Sequence, residues 1–305
     1  MSAMLVCSGV VVEALAARKP VVALETTLVT HGLPHPDGLE TAEALEDEVR
    51  RGGAIPATVG ILRGAIRVGL DGGELRELAA AVDVTKTNLS NLGAVVASGK
   101  PGSTTVAATM FAAHAAGIRV FATGGIGGVH RDVELSGDVS ADLTALSRIP
   151  TAVVCAGAKA ILDLPRTVEM LETLGVPVLG LHTVEFPAFY RRSSGLPVDR
   201  AFDSVDDLAR AVHAHFQLSL GTGVVIANPI PDDEEMPESL YEQSLGTALD
   251  EARRQGLRGR AVTPFLLERM RTLTGGTSLR ANVALLRNNA RVAAQLAVAM
   301  ASHSR

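Results

Sequence analysis

Residues 151–164 read TAVVCAGAKAILDL, and the first half of this stretch contains the pattern that decides the fold. Residues 151–157 are apolar on both faces, which is typical of a strand buried inside a parallel sheet. Similar runs recur along the chain with candidate helices between them: PVVALE (20–25), ATVGILRG (57–64), IRVFATGG (118–125), VPVLGLH (176–182) and GVVIAN (223–228). This alternation predicts an α/β fold with a mostly parallel sheet.

The candidate helices show the amphipathic pattern of helices that cover a sheet. In DGLETAEALEDEVRRGG (37–53), one stripe contains Leu39, Ala42, Leu45 and Val49. Beyond residue 228 the pattern changes to helices only, over about 238–255, from Thr263–Pro264 onward and over about 278–301. No repeat or flexible linker interrupts the chain. We therefore predict a single domain over residues 1–305, with a three-layer α/β core and a helical C-terminal part.

The composition excludes several classes of function. Of the 305 residues, 47% are hydrophobic and 20% are charged, which is typical of a globular protein with a sizeable core. The net charge of −5 and the aromatic content of 3% argue against binding to nucleic acid. No apolar run is long enough to span a membrane. The expected partner is therefore a small molecule.

The N-terminal segment and the two cysteines predict a cytoplasmic protein. Residues 1–20 have no positive charge before their apolar run, as a secretory signal peptide would, and Arg18 and Lys19 come after it. An amphipathic helix is the better prediction for this segment. Cys7 and Cys155 both lie in apolar surroundings. This pattern predicts buried, reduced thiols and not a disulfide bond.

Polar residues come directly after several of the predicted strands. They are Glu25, the glycine run 124–128 with His130, Lys159, His182 and Asn228. In parallel α/β sheets, ligands bind outside the carboxyl ends of the strands. We therefore expect these residues to converge on one pocket, although they are far apart in the sequence.

Most of these residues also have a purely structural interpretation. Glu25-Thr26-Thr27 is as consistent with an ordinary strand end and turn as with a place in the site. The glycine run is not a dinucleotide-binding fingerprint, because His130 occupies the position of the last required glycine. It could form a tight turn, or a nest of backbone N–H groups for an anion. A histidine such as His130 is more often a hydrogen-bonding residue than a catalyst.

The segment DVSADL (138–143) also has two interpretations. By default, Ser140 is the N-cap of a helix with the sequence ADLTALSRI, and Asp142 favours the positive end of that helix. Alternatively, Asp138 and Asp142 could hold Mg²⁺ or Mn²⁺ beside the glycine run, with water and substrate completing the shell. A structural zinc site is not expected, because the segment contains no His/Cys cluster.

Lys159 is the residue that is hardest to explain as structural. Burial and a following helix N-terminus would both disfavour its protonated form, and a neutral amine can form a Schiff base with a carbonyl group. The alternative is a lysine that snorkels to the surface. Lys86, in DVTKTNL, also ends an apolar stretch and could anchor a phosphate by its charge. The residues alone predict a lysine-dependent enzyme for a small, phosphorylated carbonyl compound or sugar.

At these residues the sequence strongly resembles the pseudouridine-5′-phosphate glycosidases, the family that includes the indigoidine synthase A-like proteins. The matching stretches run in the expected order from about residue 10 to residue 300. The most specific are VFATGGIGGVHR and VVCAGAKAILDL. Others are PVVALETTLVTHGLPHPDGLETA, GAIPATVGILRGAIRVGL, VTK, STTVAATM, DVSADL, LETLGVPVLG, ANPIP, TPFLLERMRTLTGG and SLRANVALLRNNA.

The resemblance implies reversible cleavage of the C–C glycosidic bond of pseudouridine 5′-phosphate, which gives uracil and ribose 5-phosphate. It implies that Lys159 is the nucleophile and that Glu25 is the proton donor. The substrate-binding residues that it implies are Lys86, Val106, Ser140, Ala141, Asp142, His130 and Asn282. It also implies that Asp138 holds a divalent cation, Mn²⁺ or another such as Mg²⁺, in a homotrimer with an α/β/α core.

The sequence departs from the family pattern at Thr87–Asn91, where members typically have a Ser-Arg-Arg-Asp type run. This departure leaves the residues with a chemical role in place and puts the substrate range in question. Two alternative functions remain open. One is a lysine-dependent aldolase or lyase for another sugar phosphate. The other is a non-catalytic sugar-phosphate-binding protein, which would have no need of a buried nucleophile.

Overall fold

The computed structural model describes residues 4–257 and 262–303, whose strands form one mixed sheet. The strands are β1 (Leu5–Cys7), β2 (Val21–Leu24), β3 (Ile55–Leu62), β4 (Ala65–Val68), β5 (Thr85–Thr87), β6 (Gly102–Thr104), β7 (Val120–Ala122), β8 (Ala152–Cys155), β9 (Val178–Leu181), β10 (Arg200–Phe202) and β11 (Val224–Ala227). Their order is β1-β4-β3-β2-β7-β8-β11-β9-β10, with β6 beside β3 and β5 beside β6. All pairs from β3 to β10 on this path are parallel, which confirms the predicted class.

Helices cover this sheet and form the C-terminal part. They are α1 (Gly9–Ala16), α2 (Asp37–Arg51), α3 (Gly72–Ala80), α4 (Leu92–Ser98), α5 (Val106–Ala116), α6 (Val133–Ser136), α7 (Ala141–Leu146), α8 (Leu164–Thr173), α9 (Val205–Gln217), α10 (Glu238–Arg254), α11 (Val262–Leu273) and α12 (Thr277–His303). The helix α12 packs against α2 and α9 and crosses β2, β7 and β8, whereas α5 contacts α7, β2, β3 and β4. Within the described ranges, none of these helices is long and apolar enough to cross a membrane.

All six predicted strands are present, and the three C-terminal helices lie close to their predicted positions. The helix expected to start at Thr263–Pro264 begins at Val262, next to residues 258–261, which lie outside the described part. The N-terminal prediction was partly wrong, because residues 5–7 form β1 before α1 begins after the Ser8 N-cap. β1 pairs with β4, which is a tertiary contact that a local pattern does not contain.

The strand β8 leads into the loop that contains Lys159, and a close approach of two backbone segments fixes this loop. Gly157 has a φ of +79°, and a Cβ atom at this position would overlap the carbonyl oxygen of Pro187. An antiparallel bridge joins Gly157 to Ala188 at the same place. Only glycine combines this backbone angle with such close packing.

We expect Gly157→Ala to destabilise the protein by more than its backbone angle alone requires. Gly175 is the matched control, because it has a φ of +67° and its Cβ position is open. Gly175→Ala should cost about 1–2 kcal/mol of unfolding free energy, the usual penalty of this backbone region. Gly157→Ala should cost about 1–3 kcal/mol more, because Pro187 must move. Equal losses in urea unfolding would contradict this account of the loop.

Candidate active site

Three charged residues of the predicted site line one cavity of about 60 Å³ at the carboxyl ends of the parallel strands. They are Glu25, which follows β2, Lys86 in β5, and Lys159 in the loop after β8. Asn282 of α12 and the first part of the glycine run, Gly124 and Gly125, line the same cavity. The expected convergence therefore holds for these residues.

Glu25 is a buried carboxyl group with one oxygen already engaged. Its side chain belongs to a residue that is only 8% exposed, and Oε1 accepts a hydrogen bond of 2.5 Å from the Thr123 hydroxyl. Burial raises the pKa of Glu25, although the Lys159 charge and the Thr123 hydrogen bond oppose this shift. Such an environment favours a carboxyl group that holds its proton and can donate it.

Lys86 and Lys159 are both half-buried in this cavity. Burial lowers the pKa of Lys86, and the neighbouring Lys159 charge lowers it further. The side chain of Asn91 donates a hydrogen bond of 3.1 Å to the Lys86 carbonyl oxygen, so the segment that departs from the family pattern holds this lysine. The backbone N–H of Lys159 donates to Ile126 O at 3.1 Å, which ties its loop to the glycine run.

His31 is a residue of the cavity wall that the sequence analysis missed. It lies in the π-helical turn Leu28–Gly32, and its Nδ1 is 2.7 Å from Thr30 Oγ1 and 3.2 Å from Ser103 Oγ. Burial lowers the pKa of His31, and the Lys86 charge adds to this effect. Residues 20–42 match the family, but nothing in this match reveals a π-helical turn, which is often found at functional sites.

His130 and Asp138 lie in a second cavity of about 240 Å³, beside the first one. Nδ1 of His130 is 3.9 Å from Oδ2 of Asp138, and burial lowers the pKa of His130 while the Asp138 charge opposes this shift. Among the described residues, no group of three or more His, Cys, Asp or Glu side chains could hold a metal ion. A cation at Asp138 would therefore need water or substrate for most of its ligands.

Asp142 lies behind the cavity and connects two helices to the glycine run. Its Oδ1 accepts from the Ala107 N–H at 3.0 Å, and its Oδ2 accepts from the Gly127 N–H at 2.8 Å. Ser140 caps α7 by accepting from the Asp142 N–H, which confirms the capping interpretation. Val106 and Ala141 are the first residues of α5 and α7. Their contacts with a substrate stay a prediction.

The last two residues of the predicted set lie elsewhere. His182 lines a separate cavity with Arg192 and Asp203, so its expected convergence with the others was wrong. Asn228 is buried and donates a hydrogen bond of 2.8 Å to Asn289 of α12. Position after a strand thus finds the correct edge of the sheet, but it does not decide which side chains reach the cavity.

We expect Glu25→Gln to stabilise the protein increasingly as the pH rises. Folding raises the pKa of Glu25 above its ordinary value of 4.5. The contribution of this carboxyl group to the free energy of unfolding is therefore fully present below pH 4.5 and is lost as the pH rises through the pKa of the folded protein. A glutamine does not titrate. The unfolding free energy of Glu25→Gln relative to wild type should therefore increase as the pH rises above 4.5, the ordinary pKa of a glutamate.

Glu40→Gln provides the control, because Glu40 is exposed on α2 and a carboxylate there keeps its water in both states. Urea unfolding at several pH values measures both differences. The same pH dependence in both variants would contradict the assigned environment of Glu25.

Comparisons with known proteins show which family the chain belongs to. The model of the family described as indigoidine synthase A like protein matches residues 10–299. A pseudouridine-5′-phosphate glycosidase of Methylobacterium nodulans is 55% identical over 94% of this chain and 86% of the relative. One of Geobacillus kaustophilus is 52% identical over 97% of this chain and 99% of the relative. These relatives are named as enzymes, which confirms the prediction that this protein is an enzyme.

Two solved structures extend the similarity to the fold. The prealnumycin C-glycosynthase AlnA in complex with ribulose 5-phosphate has a TM-score of 0.92 at 38% identity, over 100% of this chain and 99% of that chain. An indigoidine synthase A-like protein from Thermotoga maritima has a TM-score of 0.85 at 38% identity, over 92% of this chain and 93% of that chain. The chain therefore belongs to the indigoidine synthase A like protein family.

Proposed function

We propose that this protein is a pseudouridine-5′-phosphate glycosidase, which reversibly cleaves the C–C glycosidic bond of its substrate to uracil and ribose 5-phosphate. The observation that carries the proposal is the meeting of Glu25, Lys86 and Lys159 in one cavity. A proton donor, a neutral amine as nucleophile and a positively charged group for the phosphate are the groups that the reaction needs. The names of the relatives support the same activity, and the ribulose 5-phosphate bound to AlnA supports a sugar phosphate as ligand.

The leaving group explains why a lysine is needed. An ordinary glycosidase protonates a departing oxygen or nitrogen. Uracil leaves through a carbon atom, which has no lone pair in the σ framework to protonate. In the proposed reaction, the neutral Lys159 amine forms a bond to C1′ while the bond from C1′ to the ring oxygen breaks. The nitrogen then loses a proton and the ring oxygen gains one, so the sugar opens and the nitrogen keeps a lone pair.

The C–C bond breaks in the next step. The nitrogen lone pair forms a C=N double bond to C1′, and the electron pair of the C–C bond passes to the uracil ring carbon, which receives a proton from Glu25. Water then hydrolyses the imine, which releases ribose 5-phosphate and the free Lys159 amine. The raised pKa of Glu25 suits the donor role, because its carboxyl group holds a proton at a pH where an exposed one has lost it.

Lys86 suits the recognition of the phosphate group. It is half-buried in the same cavity as Lys159, and two lysines against one buried carboxyl group favour an anionic ligand. A lysine-dependent aldolase or lyase would use the same groups. Formation of a condensation product from uracil and ribose 5-phosphate distinguishes the two, since an aldolase has no use for the uracil.

A divalent cation is a further part of the proposal. Asp138 has a side chain that is 31% exposed and lines a cavity, so it can offer one carboxylate ligand to Mn²⁺ or Mg²⁺. The cation would supply positive charge beside the phosphorylated substrate. The homotrimer also stays a prediction, which the mass in solution would decide.

We expect chelation to suppress turnover and Mn²⁺ to restore it, because one carboxylate binds the ion only modestly. Asp138→Asn should raise the Mn²⁺ concentration needed for half of the full activity. Asp132→Asn is the control, since Asp132 lines the same cavity but pairs with Arg253. Full activity of metal-free protein, verified by elemental analysis, would refute the cation.

We expect borohydride to trap ribose 5-phosphate on Lys159. Reduction of the imine should leave a stable adduct that mass spectrometry locates on the peptide AGAKAILDL. Lys159→Arg should lose the adduct and the turnover, because guanidinium stays protonated and cannot form an imine. Lys86→Met should keep the adduct at high substrate concentration and raise KM, since it removes a charge that only holds the phosphate.

Two results would contradict the proposal, one for the nucleophile and one for the reaction. An adduct on Lys86, or substantial activity of Lys159→Arg, would mean that the nucleophile is assigned wrongly. Absence of any condensation of uracil with ribose 5-phosphate by the Mn²⁺-supplied wild type would refute the glycosidase itself.

A further inference from the structure

Asn289 is a fully buried polar residue on α12 that no step of the proposed mechanism uses. It is 0% exposed, and its amide group makes three hydrogen bonds. Nδ2 donates to Thr123 O at 2.8 Å and to Gly124 O at 3.3 Å, whereas Oδ1 accepts from Asn228 Nδ2 at 2.8 Å. A buried amide with both ends satisfied is a group that costs free energy to disturb.

The orientation of this amide follows from its partners. Two carbonyl oxygens can be met only by the NH₂ end, because both of them are acceptors. Oδ1 is then left for Asn228, whose backbone N–H in turn donates to Cys155 O in β8 at 2.9 Å. Asn289 therefore connects the end of β7 to the end of β11, beside the strand that leads to Lys159.

The segment that Asn289 holds is the one that contacts the proton donor. The Thr123 hydroxyl donates to Glu25 Oε1 at 2.5 Å, and the Thr123 carbonyl oxygen accepts from Asn289. Gly124 and Gly125 follow directly. Glycines allow many backbone conformations, so hydrogen bonds to the adjoining carbonyl groups must fix the position of this turn.

The Thr123 hydrogen bond also decides which oxygen of Glu25 can be the acid. Because Oε1 accepts the hydroxyl proton, the acidic proton is left to Oε2. A shift of Thr123 that breaks this hydrogen bond would leave the two oxygens of Glu25 equivalent and free the carboxyl group to rotate. Misplacement by about 1 Å through a distant substitution can reduce a rate by about 100-fold.

We propose that Asn289 is a positioning residue for the Glu25 proton donor, and that it acts through Thr123. This inference rests on the proposed function for the role of Glu25. Asn289 does not line the Lys159 cavity, so its effect passes through the peptide that it holds. The Lys159 loop also contacts Gly124, whose carbonyl oxygen accepts from the Ala156 N–H at 2.9 Å, but the hydrogen bonds from Lys159 N–H to Ile126 O and from Phe189 N–H to Ala156 O hold this loop without Asn289. The nucleophile should therefore depend on Asn289 much less than Glu25 does.

The test compares Asn289→Leu, Thr123→Val and the double variant with Asn288→Leu. Asn288 is the matched control, because its amide lies next along α12 and donates to Pro229 O at 3.1 Å, away from Thr123. We expect kcat for cleavage to fall by about 100-fold in Asn289→Leu. The double variant should lose little more than either single variant, since the two residues act in one chain of contacts. The borohydride adduct on Lys159 should form in all four variants.

The pH dependence of kcat separates positioning from general destabilisation. The hydrogen bond from Thr123 lowers the pKa of Glu25, so its loss should raise that pKa further. The alkaline limb of the cleavage profile should therefore move to higher pH in Asn289→Leu and in Thr123→Val, and it should stay in place in Asn288→Leu. If Asn289→Leu does not fold, Asn289→Asp keeps the shape and can donate at most one hydrogen bond in place of the two from Nδ2.

Infrared titration of the Glu25 carboxyl group gives an answer that does not depend on turnover. With ¹³C-labelled glutamate and Glu25→Gln as the blank, the protonated carboxyl band should persist to higher pH in Asn289→Leu than in wild type. An unchanged titration, additive losses in the double variant, or loss of the adduct in step with turnover would overturn the positioning role. Absence of turnover in wild type would refute the glycosidase, and the titration would still decide whether Asn289 holds Glu25 through Thr123.

Discussion

A carboxyl group buried at the end of a strand is the constraint on which the rest of this site depends. Burial raises the pKa of Glu25, but a buried carboxyl group also needs a partner for its oxygen atoms. Thr123 is that partner because Leu24 of β2 and Ala122 of β7 are paired in register. The next residues of these parallel strands, Glu25 and Thr123, are then side by side. A shift of one residue in this register would separate donor and acceptor.

A second group of hydroxyls joins the segment after Glu25 to the strand of Lys86. The side chains of Thr26 and Thr104 both donate to Val59 O at 2.7 Å, and the Thr27 hydroxyl donates to Thr104 O at 2.7 Å. Thr104 belongs to β6, which pairs with β5 and so with Lys86. Because these bonds join the segment after Glu25 to β6, they help to fix the position of Glu25 relative to Lys86.

Much of the fold could be predicted from the sequence, whereas only part of the site could. Strands apolar on both faces, such as β8, are visible because each of their residues is buried. The short strands β5, β6 and β10 were missed. Each has three residues, which are too few to show an alternating pattern of apolar and polar residues, and each forms only because a neighbouring strand pairs with it. Glu25 and Lys159 were found because charged residues in apolar runs are rare.

The missing part of the site has a physical cause as well. Thr123, His31 and Asn289 are ordinary residues in their local sequence, and they matter only through contacts with distant strands. His130 and Asp138 follow the same strand as Gly124, yet the chain carries them into the neighbouring cavity. A position in the sequence gives the edge of a sheet, and packing decides the direction of each side chain.

The glycine run limits how this enzyme can diverge. Cβ atoms at Gly125, Gly127 and Gly128 would collide with Phe189, Ser140 and Thr167 respectively, so a change at any of them requires a simultaneous change in its partner. Paired changes arise far less often than single ones, so the glycine run, of which Gly125 lines the cavity, is resistant to gradual change. New substrate preferences should therefore arise more readily through other lining residues, such as the half-buried Leu267.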